Sequence, residues 1–186
     1  LFADDFQSAD EWAIPRTSSG RIMVASSELT ITLTEPEGYL FTTRTGPDLQ
    51  DFYLEVSLHP SLCTGEDQYG VLFRATPPSA FYRLGLSCDG RIRLDRIIGG
   101  TASSPQPWLR TASLPPGAMI TSKIGILARG EVFQVYINGD FQFEVNDPML
   151  TSGVIGFFVR SANQTAMTVS ASDLAVYSIP TGESTP

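Results

Sequence analysis

The sequence predicts an all-β chain whose antiparallel strands close into a sandwich or barrel, and three observations carry that expectation. Short runs alternate apolar and polar residues with a period of two, as strands half buried against a core do. Turn signals punctuate the runs, among them Asp89-Gly90 and Asn138-Gly139, which suit tight hairpins with positive φ at both central positions. No stretch long enough for a stable helix carries an apolar stripe, and only 8–12 and 47–51 suit a single helical turn.

Taken in order, Leu29, Ile31 and Leu33 alternate with Thr30, Thr32 and Thr34. Phe52, Leu54, Val56 and Leu58 face away from Tyr53, Glu55 and Ser57. Tyr69, Val71 and Phe73 oppose Gly70, Leu72 and Arg74; Tyr82, Leu84 and Leu86 oppose Arg83, Gly85 and Ser87. Pro77-Pro78 and Gly99-Gly100 mark further loops. Runs at 121–128, 132–137, 141–145, 153–160 and 167–177 behave similarly but less cleanly. So many short strands joined by local hairpins exclude a parallel α/β sheet.

The 186 residues suit one domain over 1–179, with 180–186 a polar linker to other domains of a longer parent chain. Twelve basic against twenty acidic residues give a net charge of −8, which repels phosphate backbones and anionic membranes, so no nucleic-acid partner is expected. No apolar run is long enough to cross a bilayer, and no membrane insertion is expected. Cys63 lies in the loop that leads into strand 69–75, and Cys88 ends the strand that pairs with it, so the two thiols can meet. A disulfide there points to an oxidising, extracellular or cell-envelope compartment; two unrelated buried thiols are the alternative.

Several segments together resemble the concanavalin A-like jelly-roll superfamily, in particular its laminin-G-like and 3-keto-disaccharide-hydrolase-like branch. Asp4-Asp5-Phe6 with Trp12 resembles the first strand of that branch, and Gly70–Arg74, Phe81–Leu84 and Asp89–Leu94 its central hairpins. Phe133–Gly139 looks like its "vyvNG" hairpin, and Asp147, Gly153–Phe157 and Asp173–Val176 match the strands that follow. The resemblance implies a two-sheet antiparallel jelly-roll sandwich with a concave face that usually takes sugars. It also implies adjacent first and last strands, where Asp4, Asp5 and Asp173 would be candidate ligands for a structural calcium. Capping of turns by these aspartates is the alternative, and no cofactor is required.

No catalytic residue is assigned. Glycoside hydrolysis needs two converging carboxyls, and the E-x-D-x-E strand motif of catalytic relatives is absent. Glu66-Asp67 reads as a solvated turn, and His59, the only histidine, as a surface or edge residue. Asn163-Gln164-Thr165 is a glycosylation sequon.

The sharper signal is arginine: Arg74, Arg83, Arg91, Arg93 and Arg96 crowd one stretch. Alternation sets Arg74, Arg83, Arg91 and Arg93, with Asp95, on one sheet face, where guanidinium forks would meet carboxylate or sulfate groups and stack on rings. Pairing with Asp89, Asp95 and Glu55 across strands is the alternative. Trp108, placed in a loop over 103–108, would add a sugar-stacking ring. The expected function is non-catalytic binding of a glycan or glycoconjugate, acidic ones included. The alternatives are a glycoside hydrolase of the 3-keto-disaccharide type and a laminin-G-like protein-interaction domain.

Overall fold

The computed structural model describes residues 1–179, so the expected linker at 180–186 lies outside the described residues. They form fourteen strands and no helix: β1 (Phe2–Asp4), β2 (Gly20–Ala25), β3 (Glu28–Leu33), β4 (Tyr39–Thr43), β5 (Phe52–Leu62), β6 (Gln68–Thr76), β7 (Ala80–Ser87), β8 (Arg91–Ile98), β9 (Thr101–Arg110), β10 (Ser122–Arg129), β11 (Val132–Ile137), β12 (Asp140–Asn146), β13 (Val154–Arg160) and β14 (Met167–Ser178). One sheet runs β12-β11-β10-β5-β14-β3-β2, with β1 added on β14; the other runs β4-β13-β6-β7-β8-β9. Every pairing is antiparallel. The fold is a two-sheet antiparallel jelly-roll sandwich.

The alternation explains the layers. Val71, Phe73, Tyr82 and Leu84 from the six-stranded sheet meet Leu54, Val56, Ile124, Ile126 and Val135 from the other, all fully buried. Phe73, Tyr82 and Phe133 anchor one end with ring centroids 4.7–5.3 Å apart; Phe6, Trp12 and Phe157 anchor the other at 5.3–6.4 Å. Each such ring contributes roughly 1.5–3 kcal/mol by leaving water. A second, smaller cluster of Leu72, Ala75, Phe81, Ile97 and Phe158, packed against Tyr39 and Phe41, lies on the opposite side of the six-stranded sheet.

The Asn138-Gly139 hairpin has positive φ at both residues, 53° and 86°. The β7–β8 link differs from expectation: Cys88-Asp89-Gly90 is a three-residue connection in which only Gly90 takes positive φ, at 85°. Neither 8–12 nor 47–51 is helical. The Cys63–Cys88 disulfide is formed, with Cα atoms 6.0 Å apart. Asp67 corrects the solvated-turn reading, because it is fully buried. Its carboxylate accepts from the backbone N–H of Thr64 at 3.0 Å and of Ala162 at 2.9 Å, and from Asn163 Nδ2 at 3.0 Å. The sequon asparagine is thereby a structural tie.

A bulge in β6 overturns the placement of Arg74. The β6–β7 register shifts between Phe73 and Thr76, and Arg74 takes φ 46°. The extra residue breaks strict alternation, so Arg74 turns inward to 2% exposure. Its guanidinium donates to Gln50 O at 2.7 Å and Leu150 O at 2.9 Å and lies 4.9 Å from the Phe133 ring centroid. Arg96 also departs from the cluster: it lies opposite core-facing Tyr82 and pairs with Asp147, whose Oδ1 accepts the Tyr82 hydroxyl at 2.8 Å.

Candidate functional site

The outer face of the six-stranded sheet is built from the positions that alternate with the core. Adjacent strands set Phe41, Phe158, Gly70, Gly85 and Arg93 in one row. The next row carries Gly156, Leu72, Arg83 and Asp95. Gly70 is required by close approach, since a Cβ there would sit 1.9 Å from Leu84 O and 3.2 Å from the Phe158 ring. The Phe158 ring lies over this glycine floor, also 3.7 Å from the Cβ position of Gly85. The ring fills the space the glycines leave and is itself buried beside Tyr39 and Arg83.

Three of the expected arginines stand on that face, and each is paired. Arg83 and Arg93 both reach Asp95 Oδ2, at 2.8 and 2.9 Å, while Ser104 Oγ donates to Asp95 Oδ1 at 2.6 Å. Arg91 bridges Asp89 at 2.8 Å and Glu66 at 2.9 Å. Cross-strand pairing therefore holds for Asp95 with Arg83, while Asp95 meets Arg93 along β8 and Asp89, in the β7–β8 connection, meets Arg91 locally; Glu55 lies on the other sheet and pairs with Lys123 at 2.8 Å. The pairs fix the guanidinium planes against rings. Arg91 and Arg93 lie 5.0 and 4.6 Å from the Trp108 centroid, and Arg83 lies 5.6 Å from Phe158 and 5.8 Å from Tyr39. Stacked and salt-bridged guanidiniums present spare N–H donors in fixed directions.

Trp108 is not on a loop. It belongs to β9, an edge strand that tolerates Pro105 and Pro107 because an edge leaves N–H positions unpaired. Two register shifts against β8 mark the irregularity. The half-buried Trp108 forms one wall of a polar groove of about 350 Å³, lined also by Glu37, Glu66, Gln68, Arg91, Arg160 and Ser161. Arg160 is exposed and has no ion-pair partner among the described residues.

Reasoning from sequence missed Phe158, Arg160 and Gln68 here. Their signal was the pair of glycines at outward positions, which asks for a ring from a neighbouring strand, but β13 joins β6 only through the tertiary fold.

Burial pushes the Asp89 carboxyl up, yet hydrogen bonds from Arg91 and Ser87 outweigh it and leave its pKa below the ordinary aspartate value. A depressed folded pKa means stability fully present above the unfolded value of about 3.9 and lost as pH falls through the folded one. Thermal unfolding across the acid range should therefore show a midpoint that drops with pH, and Asp89→Asn should flatten that limb. An unchanged slope in the variant would remove Asp89 from the acid response.

First and last strands are adjacent, as expected, with Asp4 opposite Leu174. Asp4 Oδ1 accepts from Phe6 N–H at 2.9 Å, and Oδ2 from Trp12 Nε1 at 3.0 Å and Arg44 Nε at 3.4 Å. Asp5 accepts from Gln7 N–H at 3.3 Å, and Asp173, at φ 53°, accepts from Ser172 Oγ at 3.1 Å. Asp4 and Asp5 thus cap local turns and Asp4 also pairs with Arg44, whereas exposed Asp173 meets only the neighbouring Ser172 hydroxyl among the described residues; no metal-ligating trio gathers among the described residues.

By class, the chain is a jelly-roll sandwich with a built, arginine-rich outer face. No protein-family model and no curated protein matches it. Among solved structures it is similar to the carbohydrate-binding module CBM66 from Bacillus subtilis, with 15% identity, 90% of this chain and 96% of that chain covered, and a TM-score of 0.74. A Bacillus subtilis protein of unknown function with a galectin-like fold gives 16% identity, 95% and 94% coverage, and 0.72. A Bacillus licheniformis β-glucanase gives 11% identity, 96% and 97% coverage, and 0.71. These likenesses show the fold.

Proposed function

We propose that this chain is a carbohydrate-binding module that holds a glycan, without cleaving it, in the groove beside Trp108. The observation that carries the reading is the Trp108 ring fixed against Arg91 and Arg93 on the outer face of the six-stranded sheet. Sugar C–H faces stack on such a ring, while the guanidiniums and Gln68 offer hydrogen bonds around it. The likeness to a carbohydrate-binding module supports the reading. Arg160, without an acidic partner among the described residues, is the position that would meet a carboxylate or sulfate on an acidic glycan. The Cys63–Cys88 disulfide fits an extracytoplasmic setting, where the module would serve a longer parent chain.

The test is a glycan array followed by titration calorimetry on the best ligand. Trp108→Ala is expected to weaken binding by roughly tenfold or more, with Trp108→Tyr intermediate. Arg160→Ala should lower affinity for acidic glycans only. An array profile unaltered in Trp108→Ala would end the reading.

A hydrolytic function has one specific observation in its favour, since Glu37 and Glu66 both line the groove. Glu66, however, is committed to Arg91. Release of product from glycoside libraries, lost in Glu66→Gln, would replace binding by catalysis.

A further inference from the structure

The opposite sheet carries a second set of rings that the groove does not use. Tyr177 pairs with Tyr53 across β14 and β5, and Tyr136 with Phe141 across β11 and β12. Ring centroids are 6.2 Å apart in the first pair, which is stacked, and 5.8 Å in the second, which is edge-on. Between the pairs lies β10, which contributes Gly125 opposite both Glu55 and Tyr136. A Cβ on Gly125 would sit 2.8 Å from Tyr53 Oη and 3.3 Å from Tyr136 Cβ. Tyr53 therefore lies along the sheet over the glycine, reaching toward Tyr136. Without a side chain at 125 the rings of both pairs form one stripe across five adjacent strands. Four inter-strand gaps of about 4.8 Å make that stripe about 19 Å long.

The stripe is open and flanked by fixed polar groups. Tyr177 and Phe141 are 49% and 55% exposed. The Tyr53 hydroxyl donates to Glu55 at 3.0 Å, and Glu55 in turn takes Lys123. The Tyr136 hydroxyl donates to Gln134 Oε1 at 2.8 Å, and Gln134 Nε2 donates to Glu144 at 2.7 Å. The Lys123 charge is thus already answered by Glu55, so the surface offers stacking and hydrogen bonding more than net charge. A greasy protein partner or lipid would need a contiguous apolar patch; here hydroxyl, carboxamide and carboxylate groups border the rings.

We infer that the outer face of the eight-stranded sheet is a second glycan-binding surface, taking an extended, neutral polysaccharide chain laid across β14 to β12. It is separate from the Trp108 groove and stands or falls without it.

Retention of the full chain on insoluble cellulose, chitin and xylan tests this, using Tyr177→Ala/Phe141→Ala, each single variant, and Trp108→Ala. The outward positions of these rings should leave thermal midpoints near that of the parent. The parent and Trp108→Ala are expected to be retained on at least one polymer, with the double variant held roughly fivefold less. Equal retention of the double variant, retention lost only in Trp108→Ala, or no retention of the parent on any polymer would overturn the inference. A parent dimer in sedimentation that the double variant dissolves would also overturn it, assigning the face to a second copy of the chain.

Discussion

Arg74→Ala is expected to destabilise the fold by about 2–4 kcal/mol, because it removes a buried donor fork and leaves a cavity. The Gln50 and Leu150 carbonyls lose their guanidinium partner, and Phe133 loses the stem and plane packed on it. Burial disfavours the charged form of Arg74, while Asp51 at 3.6 Å opposes that only from a partly exposed position. The carbonyls, more than the ion pair, hold it. Arg74→Met separates the two contributions by keeping volume without donors, and should lose about 1–3 kcal/mol. Urea unfolding is the measurement, with the midpoint moving and the slope constant. A methionine variant as stable as the parent would show that the bonds to the carbonyls add nothing.

The Cys63→Ser/Cys88→Ser variant should lose about 3 kcal/mol on the chain-entropy account, since the bridge spans 25 residues. Asp67 independently pins the loop between them, so the native groove should survive the loss. The expected signature is a lower unfolding midpoint with a steeper denaturant slope, reporting a less constrained unfolded chain, and glycan affinity unchanged below that midpoint. Loss of affinity together with stability would mean that the disulfide also shapes the groove.

What was legible from the residues follows from one physical condition. Where a strand buries one face, a slip of one residue is costly, so the in–out pattern of Tyr82–Ser87 and of Arg91–Asp95 could be read directly. That placed Arg83, Arg91, Arg93 and Asp95 on a common face with Trp108 beside them. Arg74 was misread because its partners arrive from residues 50 and 150 and the bulge that turns it inward has no local marker. Prolines at 105 and 107 argue against a central strand and so point Trp108 to a loop, because an edge position is a property of the assembled sheet. Asp67 looks like a surface acid beside Glu66; Thr64 fills one of its oxygens locally, but the donors to the other, Ala162 and Asn163, come from about a hundred positions away.

The position of β14 constrains the order in which the sandwich can assemble. It is the C-terminal strand of the described residues, yet it sits between β5 and β3 and also carries β1. Until residues 167–178 are made, the larger sheet exists as two fragments with a vacant slot between them, each offering an unsatisfied ladder. Such long-range closure is slow. A nascent or truncated chain lacking that strand would present a template for any extended segment able to fill the gap.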